Sequence, residues 1–286
     1  MKIAIFTDSG CNNYQEPHHD YHDIFVASLQ VIDNDHGYRD GLDISSQQTY
    51  DKLKQGTMLK TSLPLVQDIY EQFEAMKQQG YDFVFAVNIT SGLSSTHQTV
   101  AMVAQDVGIE YDSFDCYSTA YIQLECALAA RDLFKQGASV QQVKEHLAHM
   151  CENAMTFVVP VDMNHLVRGG RLTAMAAKLA GLLKIVPILY LDQSTQGKIE
   201  SYKKVRTFAK ALSTMVDAFV EKGIDSTYRI CVAHVLALDS AKQFVELLKQ
   251  RLPDVDCYIT DLVSVVGVHT GLGCLACQMI KKGDQV

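Results

Sequence analysis

The sequence predicts an α/β protein of two domains. The N-terminal one has a mostly parallel sheet with flanking helices, and the C-terminal one a mixed α/β sheet. Three observations lead there. Over the first 155 residues, apolar runs of strand length alternate with helix-length segments of 3.6-residue periodicity, the pattern of a parallel sheet covered on both faces. From residue 156 onward the alternation is looser, and the run 187–191 is followed across a polar turn by a second run, 198–205, that lies back beside it. Finally, 286 residues with 48% hydrophobic and 20% charged side chains fill two ordinary domains, set at 1–155 and 156–286.

Bulk properties exclude several classes of function. A net charge of −8 leaves no basic excess to neutralise phosphates, which argues against a general nucleic-acid binder. No apolar run approaches the roughly 20 residues of a membrane span, and the apolar stretch before Asp8 is too short for a signal-peptide core. A soluble cytoplasmic protein is the expectation. The eight cysteines are scattered through apparent strands and helices, as buried reduced thiols are, rather than grouped as a disulfide framework.

In order along the chain, residues 2–7 read as a central strand ending at the polar tip Asp8-Ser9-Gly10. Residues 11–23, rich in Asn, His, Asp and Tyr, read as a surface excursion, 24–32 as a strand, and 38–45 as a turn entering a helix at Ser45 or Ser46. Lys60-Thr61-Ser62-Leu63-Pro64 reads as a helix start: Thr61 or Ser62 caps, and Pro64 occupies the first turn, where its missing N–H costs nothing. Leu65, Ile69, Phe73 and Met76 form that helix's apolar face, and Gly80 ends it. Residues 81–89 form a strand buried on both faces. It breaks at Asn88-Ile89-Thr90-Ser91-Gly92-Leu93-Ser94-Ser95-Thr96, and the chain restarts as a helix over 96–107 closed by Gly108. Such a break offers free N–H groups and hydroxyls to an anion; equally, Ser94 or Ser95 caps the helix. A strand over 109–117 and helices over 120–135 and 140–152 complete the first domain.

Residues 157–161 open the second domain as a strand. The segment 173–185 is apolar around most of its circumference, so it is either deeply buried or lines an apolar cavity. A helix over 207–222, a strand over 229–235, a helix over 240–252, a strand over 256–268 and a last helix over 274–280 follow. In parallel sheets ligands sit beyond the carboxyl ends of strands. The tips at Asp8-Ser9-Gly10, Thr90 to Thr96 and Tyr117-Ser118-Thr119, with the Thr61-Ser62 cap, converge there.

No dinucleotide Gly-x-Gly-x-x-Gly fingerprint follows a strand, and no Walker A sequence is present. Cys274-Leu275-Ala276-Cys277 is a single pair without a His partner, which reads as packing. His18, His19 and His22 lack a second ligand motif of recognised spacing, so no metal is expected. Ser94 and His269 admit a serine-dependent acyl hydrolase or transferase, although Gly-x-Ser-x-Gly is absent. They equally admit a carboxylate held without chemistry, or a phosphate-ligand binding module. Arg168 and Arg171 flank Gly169-Gly170 in a turn and Arg206 follows a strand, as solvated charge or as a grip on phosphate or an acidic partner.

Taken in order, Phe6-Thr7-Asp8-Ser9, Lys60-Thr61-Ser62 with Pro64, Ile89 to Thr96, Leu166-Val167-Arg168-Gly169-Gly170-Arg171, Lys204-Val205-Arg206 and Gly267-Val268-His269-Thr270-Gly271 resemble the DegV family. These are the fatty-acid-binding subunits of the bacterial fatty acid kinase system, and the likeness covers essentially the whole chain. It implies two α/β domains with an acyl chain in a buried tunnel between them. It also implies a carboxylate held by Thr61, Ser62, Ser94 and His269, with the Ser95 amide as a further donor. The protein would catalyse nothing and need no cofactor. It would present a long-chain fatty acid to a separate ATP-dependent kinase for acyl-phosphate formation in phospholipid metabolism, with Arg168, Arg171 and Arg206 facing that partner. The chain departs from the family pattern at Leu63, Leu65, Ser95, Cys116 and Leu272, changes that bear on the ligand more than on the fold.

Overall fold

A computed structural model describes residues 1–15, 21–182 and 184–283. The first half holds strands β1 (Ile3–Asp8), β2 (Ile24–Ala27), β3 (Gln30–Asp33), β4 (His36–Arg39), β5 (Leu59–Ser62), β6 (Phe83–Ala86) and β7 (Glu110–Ser113). Helices α1 (Ser46–Lys54), α2 (Val66–Gln78), α3 (Thr96–Val107), α4 (Ala120–Lys135) and α5 (Val140–Cys151) accompany them. The second half holds β8 (Met155–Val159), β9 (Val186–Leu191), β10 (Glu200–Val205), β11 (Tyr228–His234), β12 (Asp256–Asp261) and β13 (Leu275–Lys281). Its helices are α6 (Met163–Gly169), α7 (Ala174–Ala177), α8 (Phe208–Glu221), α9 (Leu238–Arg251) and α10 (Ser264–Thr270).

The N-terminal sheet runs β2-β1-β6-β7, all parallel, and period-2 alternation decides which helix each face meets. Ala4, Phe6, Val84 and Ala86 pack on Ile69, Phe73 and Met76 of α2 and on Val100, Val103 and Ala104 of α3. Ile5 and Phe85 turn the other way, onto Ile122 and Leu124 of α4 and Val143 and Leu147 of α5. The C-terminal sheet is mixed, in the order β10-β9-β8-β13-β11-β12. Met155, Phe157 and Val159 face Met215 and Phe219 of α8 and Phe244 of α9, while Val158, Ala276 and Ile280 join the cluster that contains Ile5 and Phe85. One apolar core therefore spans both halves.

Several expectations are corrected. The strand expected over 24–32 is two strands in different sheets. The chain turns off at Ser28-Leu29, where the Leu29 amide donates to Ser9 Oγ (3.1 Å) and its carbonyl accepts from Asp40 N (2.8 Å). A third sheet, β4-β3-β5, was not foreseen. It begins with a two-residue hairpin at Asn34-Asp35, with Asn34 at φ 53°, a residue that tolerates the left-handed region. Thr61 and Ser62 belong to β5, opposite Val31 and Gln30, and cap no helix. Pro64 keeps Leu63 extended, so α2 waits until Val66. Within 11–23, Cys11, Asn12 and Asn13 are buried rather than on the surface, and His18 and His19 lie outside the described residues.

The C-terminal half brings three more corrections. The helix expected over 173–185 is the four-residue α7 followed by a 3-10 turn, with Met175 and Leu182 exposed, so it is not deeply buried. The strand expected over 256–268 stops at Asp261. Leu262 N makes the last ladder-side bond, to His234 O (2.9 Å), and α10 begins at Ser264. Residues 275–281 form a central strand, not a helix. Both faces of β13 are covered, so its sequence is apolar on both apart from Gln278, and a short run of that kind reads alike as buried helix or buried strand.

Candidate functional site

The loop after β6 is fixed from below by buried polar groups. Asp8, at the end of β1, accepts from Ile89 N (2.8 Å), Gly10 N (2.9 Å) and Gln123 Nε2 (3.1 Å). Burial pushes its carboxyl up to about 6, against the pull of those hydrogen bonds. Thr90 N donates to Ser118 O (2.9 Å), and Ser91 donates through its amide and hydroxyl to Asp115 Oδ2 (3.0 and 2.6 Å). Ser94 Oγ bonds Thr96 Oγ1 (2.8 Å); Ser95 occupies the N-cap position of α3, as the sequence allows, but no side chain makes a capping hydrogen bond there. The Ser95 amide has no acceptor among the described residues.

The loop also presses on the other half of the chain. A Cβ on Gly92 would lie 2.4 Å from the Gly197 carbonyl carbon, and one on Gly197, at φ +69°, would lie 2.1 Å from Thr90 Oγ1. Gly92 needs glycine because it meets the backbone of Gln196 and Gly197, and Gly197 because it meets the Thr90 side chain at a positive φ.

Thr61 Oγ1 lies 2.7 Å from His269 Nε2, joining β5 to the last turn of α10 across 208 residues of sequence. His269 is thus a helical residue and not a loop one. Burial, then the positive charge of Arg171 and the neighbouring His165, lowers its pKa to about 4, so the imidazole is neutral near pH 7. A neutral imidazole carries one N–H. If Nε2 donates to Thr61, the threonine hydroxyl is free to donate onward to an anion.

These groups rim a cavity of about 390 Å³, within the range of small-ligand sites. Thr61, Ser62, Ser94, Ser95 and His269 all line it, so the structure brings every predicted ligand residue together. Behind them the wall is apolar, with Leu29, Leu63, Ile89, Leu166, Ile199 and Val265. Sequence reasoning gave the last three no part in holding a ligand, although Leu166 opens the Leu166 to Arg171 block. Only their apolarity marked them, and most core residues share that. Leu63 stands at a departure from the family pattern and lines the cavity, whereas Leu65 is exposed outside it, Cys116 is buried against the thiol of Cys126, and Leu272 packs on the main core.

The three arginines separate. Arg171 lines the cavity and donates to Gly169 O (2.5 Å) and Leu93 O (3.4 Å), so it belongs to the site's rim. Arg168, in the last turn of α6, is exposed beside it. Arg206 lies past the far end of β10, roughly 20 Å along that strand from Ile199.

The geometry does not make a hydrolytic dyad. Ser94 is bonded to Thr96 and His269 to Thr61, and His269 faces Arg171 and His165 rather than an orienting carboxylate. Cys277 is buried on β13 and Cys274 is buried just before it, and burial pushes the Cys274 thiol up to about 12. Among the described residues no group of three or more His, Cys, Asp or Glu side chains could hold a metal ion. No helix among them is long and apolar enough to cross a membrane.

A parallel sheet joined to a mixed one, with hydroxyls and a neutral imidazole over an apolar cavity, is the build of a protein that binds an amphiphilic anion. The chain belongs to the DegV family: residues 2–282 match the family model described as "Uncharacterised protein, DegV family". It is 33% identical over 285 residues to a DegV domain-containing protein of Streptococcus pneumoniae, covering 96% of this chain and 98% of that one. It is 30% identical to Protein DegV of Bacillus subtilis, over 96% and 98% of the two chains. Among solved structures it matches a fatty acid binding DegV family protein from Streptococcus agalactiae with a TM-score of 0.89 and 28% identity, over 99% of both chains. It matches DegV, a fatty acid binding protein from Bacillus subtilis, with a TM-score of 0.85 and 29% identity over 99% and 100%. These neighbours are described by what they bind and by no reaction.

Proposed function

We propose that this protein is a fatty-acid carrier that works in the cytoplasm. It holds a long-chain fatty acid between two domains that meet near residue 155 and presents the carboxylate to a separate ATP-dependent kinase, which forms the acyl phosphate. The observation that carries this reading is the Thr61–His269 contact, 2.7 Å long, set at the mouth of an apolar cavity. Thr61, Ser62, Ser94 and the Ser95 amide supply donors for a carboxylate, with His269 orienting Thr61. Burying the chain contributes roughly 0.8 kcal/mol per methylene, enough for retention through purification. Protein purified from cells and extracted with organic solvent is expected to yield fatty acid in near-equimolar amount by mass spectrometry. Protein that carries none, and takes up none when palmitate is supplied, would end this reading.

The electrostatics add a second expectation. A carboxylate placed beside His269 favours the imidazolium and raises its pKa above the unliganded value of about 4. The complex then binds more protons than the free protein in the window between about pH 4 and the raised pKa of the liganded imidazole, so lowering the pH through that window strengthens binding until the fatty acid itself protonates. Histidine-labelled NMR should show the His269 resonance titrating at higher pH once palmitate is added. An unchanged or lowered pKa would place the carboxylate elsewhere.

A further inference from the structure

The helix α10 is attached to the three-stranded sheet β4-β3-β5 at both of its ends. At its last turn, His269 meets Thr61 of β5. At its first residue, the Ser264 hydroxyl hydrogen-bonds the carboxylate of Asp40, which directly follows β4 and is 2% exposed. The Asp40 amide donates to Leu29 O (2.8 Å), just before β3. The same carboxylate accepts from Ser9 Oγ (2.9 Å), which in turn accepts from Leu29 N (3.1 Å), and Ser264 Oγ also meets Ser46 Oγ of α1 (3.2 Å). Burial pushes the Asp40 carboxyl up to about 6, and hydroxyls rather than a cation offset that burial. A buried carboxylate without a cation is expensive, and an aliphatic side chain beside Leu29, Val31, Ile44 and Val268 would cost less. What the carboxylate adds is direction. Val265 and Val268 pack on that cluster by apolar contact, which has no preferred direction, whereas a hydrogen bond fixes a place. From Ser264 to His269 is roughly 8 Å along the helix axis, so a displacement at the helix start carries through to the imidazole.

We propose that Asp40 is a positioning residue of the ligand site: by fixing the start of α10 on the sheet that bears Thr61, it holds His269 at hydrogen-bonding distance from that threonine. Its consequence for binding rests on the fatty-acid reading above. Asp40 lines no part of the 390 Å³ cavity, so it acts on the head group only through the helix. The rest of the clamp has the same sense. Tyr50 of α1 donates to Leu262 O ahead of α10, and a Cβ on Gly267 would lie 2.5 Å from Tyr50 Cε1, so the helix is pressed against α1 while Asp40 sets where it begins.

Two variants of the full chain test this role. Asp40→Asn keeps the shape and removes the carboxylate, and Ser264→Ala removes the donor on the helix. Each delipidated protein is offered labelled palmitate or 1-hexadecanol from the same cyclodextrin. The two ligands share a tail and differ in the carboxylate. A displaced His269 is therefore expected to weaken palmitate about tenfold and 1-hexadecanol by no more than about twofold. Retained 1-hexadecanol binding also shows that the fold is intact. In the ligand-free variants, the His269 NMR resonance should titrate above the value of about 4 that burial gives the unaltered ring. An unmoved His269 titration in both variants, or equal weakening of the two ligands, overturns the proposal. If the unaltered chain takes up neither ligand, the fatty-acid reading fails by itself, and the His269 titration still decides whether Asp40 positions the helix.

Discussion

Alanine at position 169 is expected to weaken fatty-acid binding by about tenfold or more while leaving the fold nearly as stable as before, the loss of roughly one hydrogen bond to a charged ligand. Gly169 ends α6 in a backbone conformation open to alanine, and Gly170 beyond it takes the left-handed cap at φ 68°. On propensity alone the substitution would stabilise the helix by about 0.5–1 kcal/mol. The obstacle is side-chain space: the new methyl would lie 2.2 Å from His269 Nδ1 and 3.0 Å from Cε1. The imidazole must swing away, and with it goes the 2.7 Å contact to Thr61. A double-mutant cycle isolates this effect. In a His269→Ala background the Gly169→Ala change should cost almost nothing in palmitate affinity. An equal penalty in both backgrounds would mean that the glycine serves the helix and not the histidine.

The second large effect is on stability. Gln278, fully buried on β13, accepts from Tyr121 N (2.9 Å) and donates to Thr119 O (2.8 Å), Thr156 Oγ1 (2.9 Å) and Ser118 Oγ (3.2 Å). One side chain of the C-terminal sheet thereby satisfies the backbone on either side of Ala120, which sits at φ 51° where non-glycine residues are strained. Gln278→Leu leaves a buried N–H and a buried C=O without partners, at about 1–3 kcal/mol each. A total near 3 kcal/mol corresponds to a fall in Tm of roughly 6–12 °C for a chain of this size. Because Ser118 O holds Thr90 N, palmitate affinity should fall as well. Ala120→Gly in the Gln278→Leu background should recover part of the loss, since glycine adopts that φ freely. A Tm change under about 2 °C for Gln278→Leu, or no recovery with glycine, would show that the junction does not depend on this glutamine.

The sequence made the first half of the fold legible where helical periodicity was long, as in α5, or long and closed by a glycine, as in α3 with Gly108 and α4 with Gly137. It misled where local pattern and tertiary placement diverge. Thr61-Ser62-Leu63-Pro64 has the composition of a helix start, but β3 offers an open edge and the chain pairs with it first. The segment 275–281 carries no period, because a central strand covered on both faces has no polar side to reveal one. Of the site, the hydroxyls and His269 were found through motif order. Their apolar backing from Leu166, Ile199 and Val265 was not, since nothing local distinguishes a cavity wall from a core. The place of Arg171 on the cavity rim is not legible in the sequence, because its nearness to Leu93 depends on how the two halves meet.

The position of β13 has a consequence in time. The described strand furthest along the chain lies in the middle of its sheet, between β8 and β11. Until it is inserted, β8-β9-β10 and β11-β12 are two separate ribbons with a strand-wide gap between them, and α10, which bears His269, has just been synthesised. The cavity mouth at His269 therefore takes shape only after the N-terminal sheet has been synthesised. A nascent chain can have its N-terminal sheet complete and still lack the half of the cavity that Leu166, Ile199, Val265 and His269 supply.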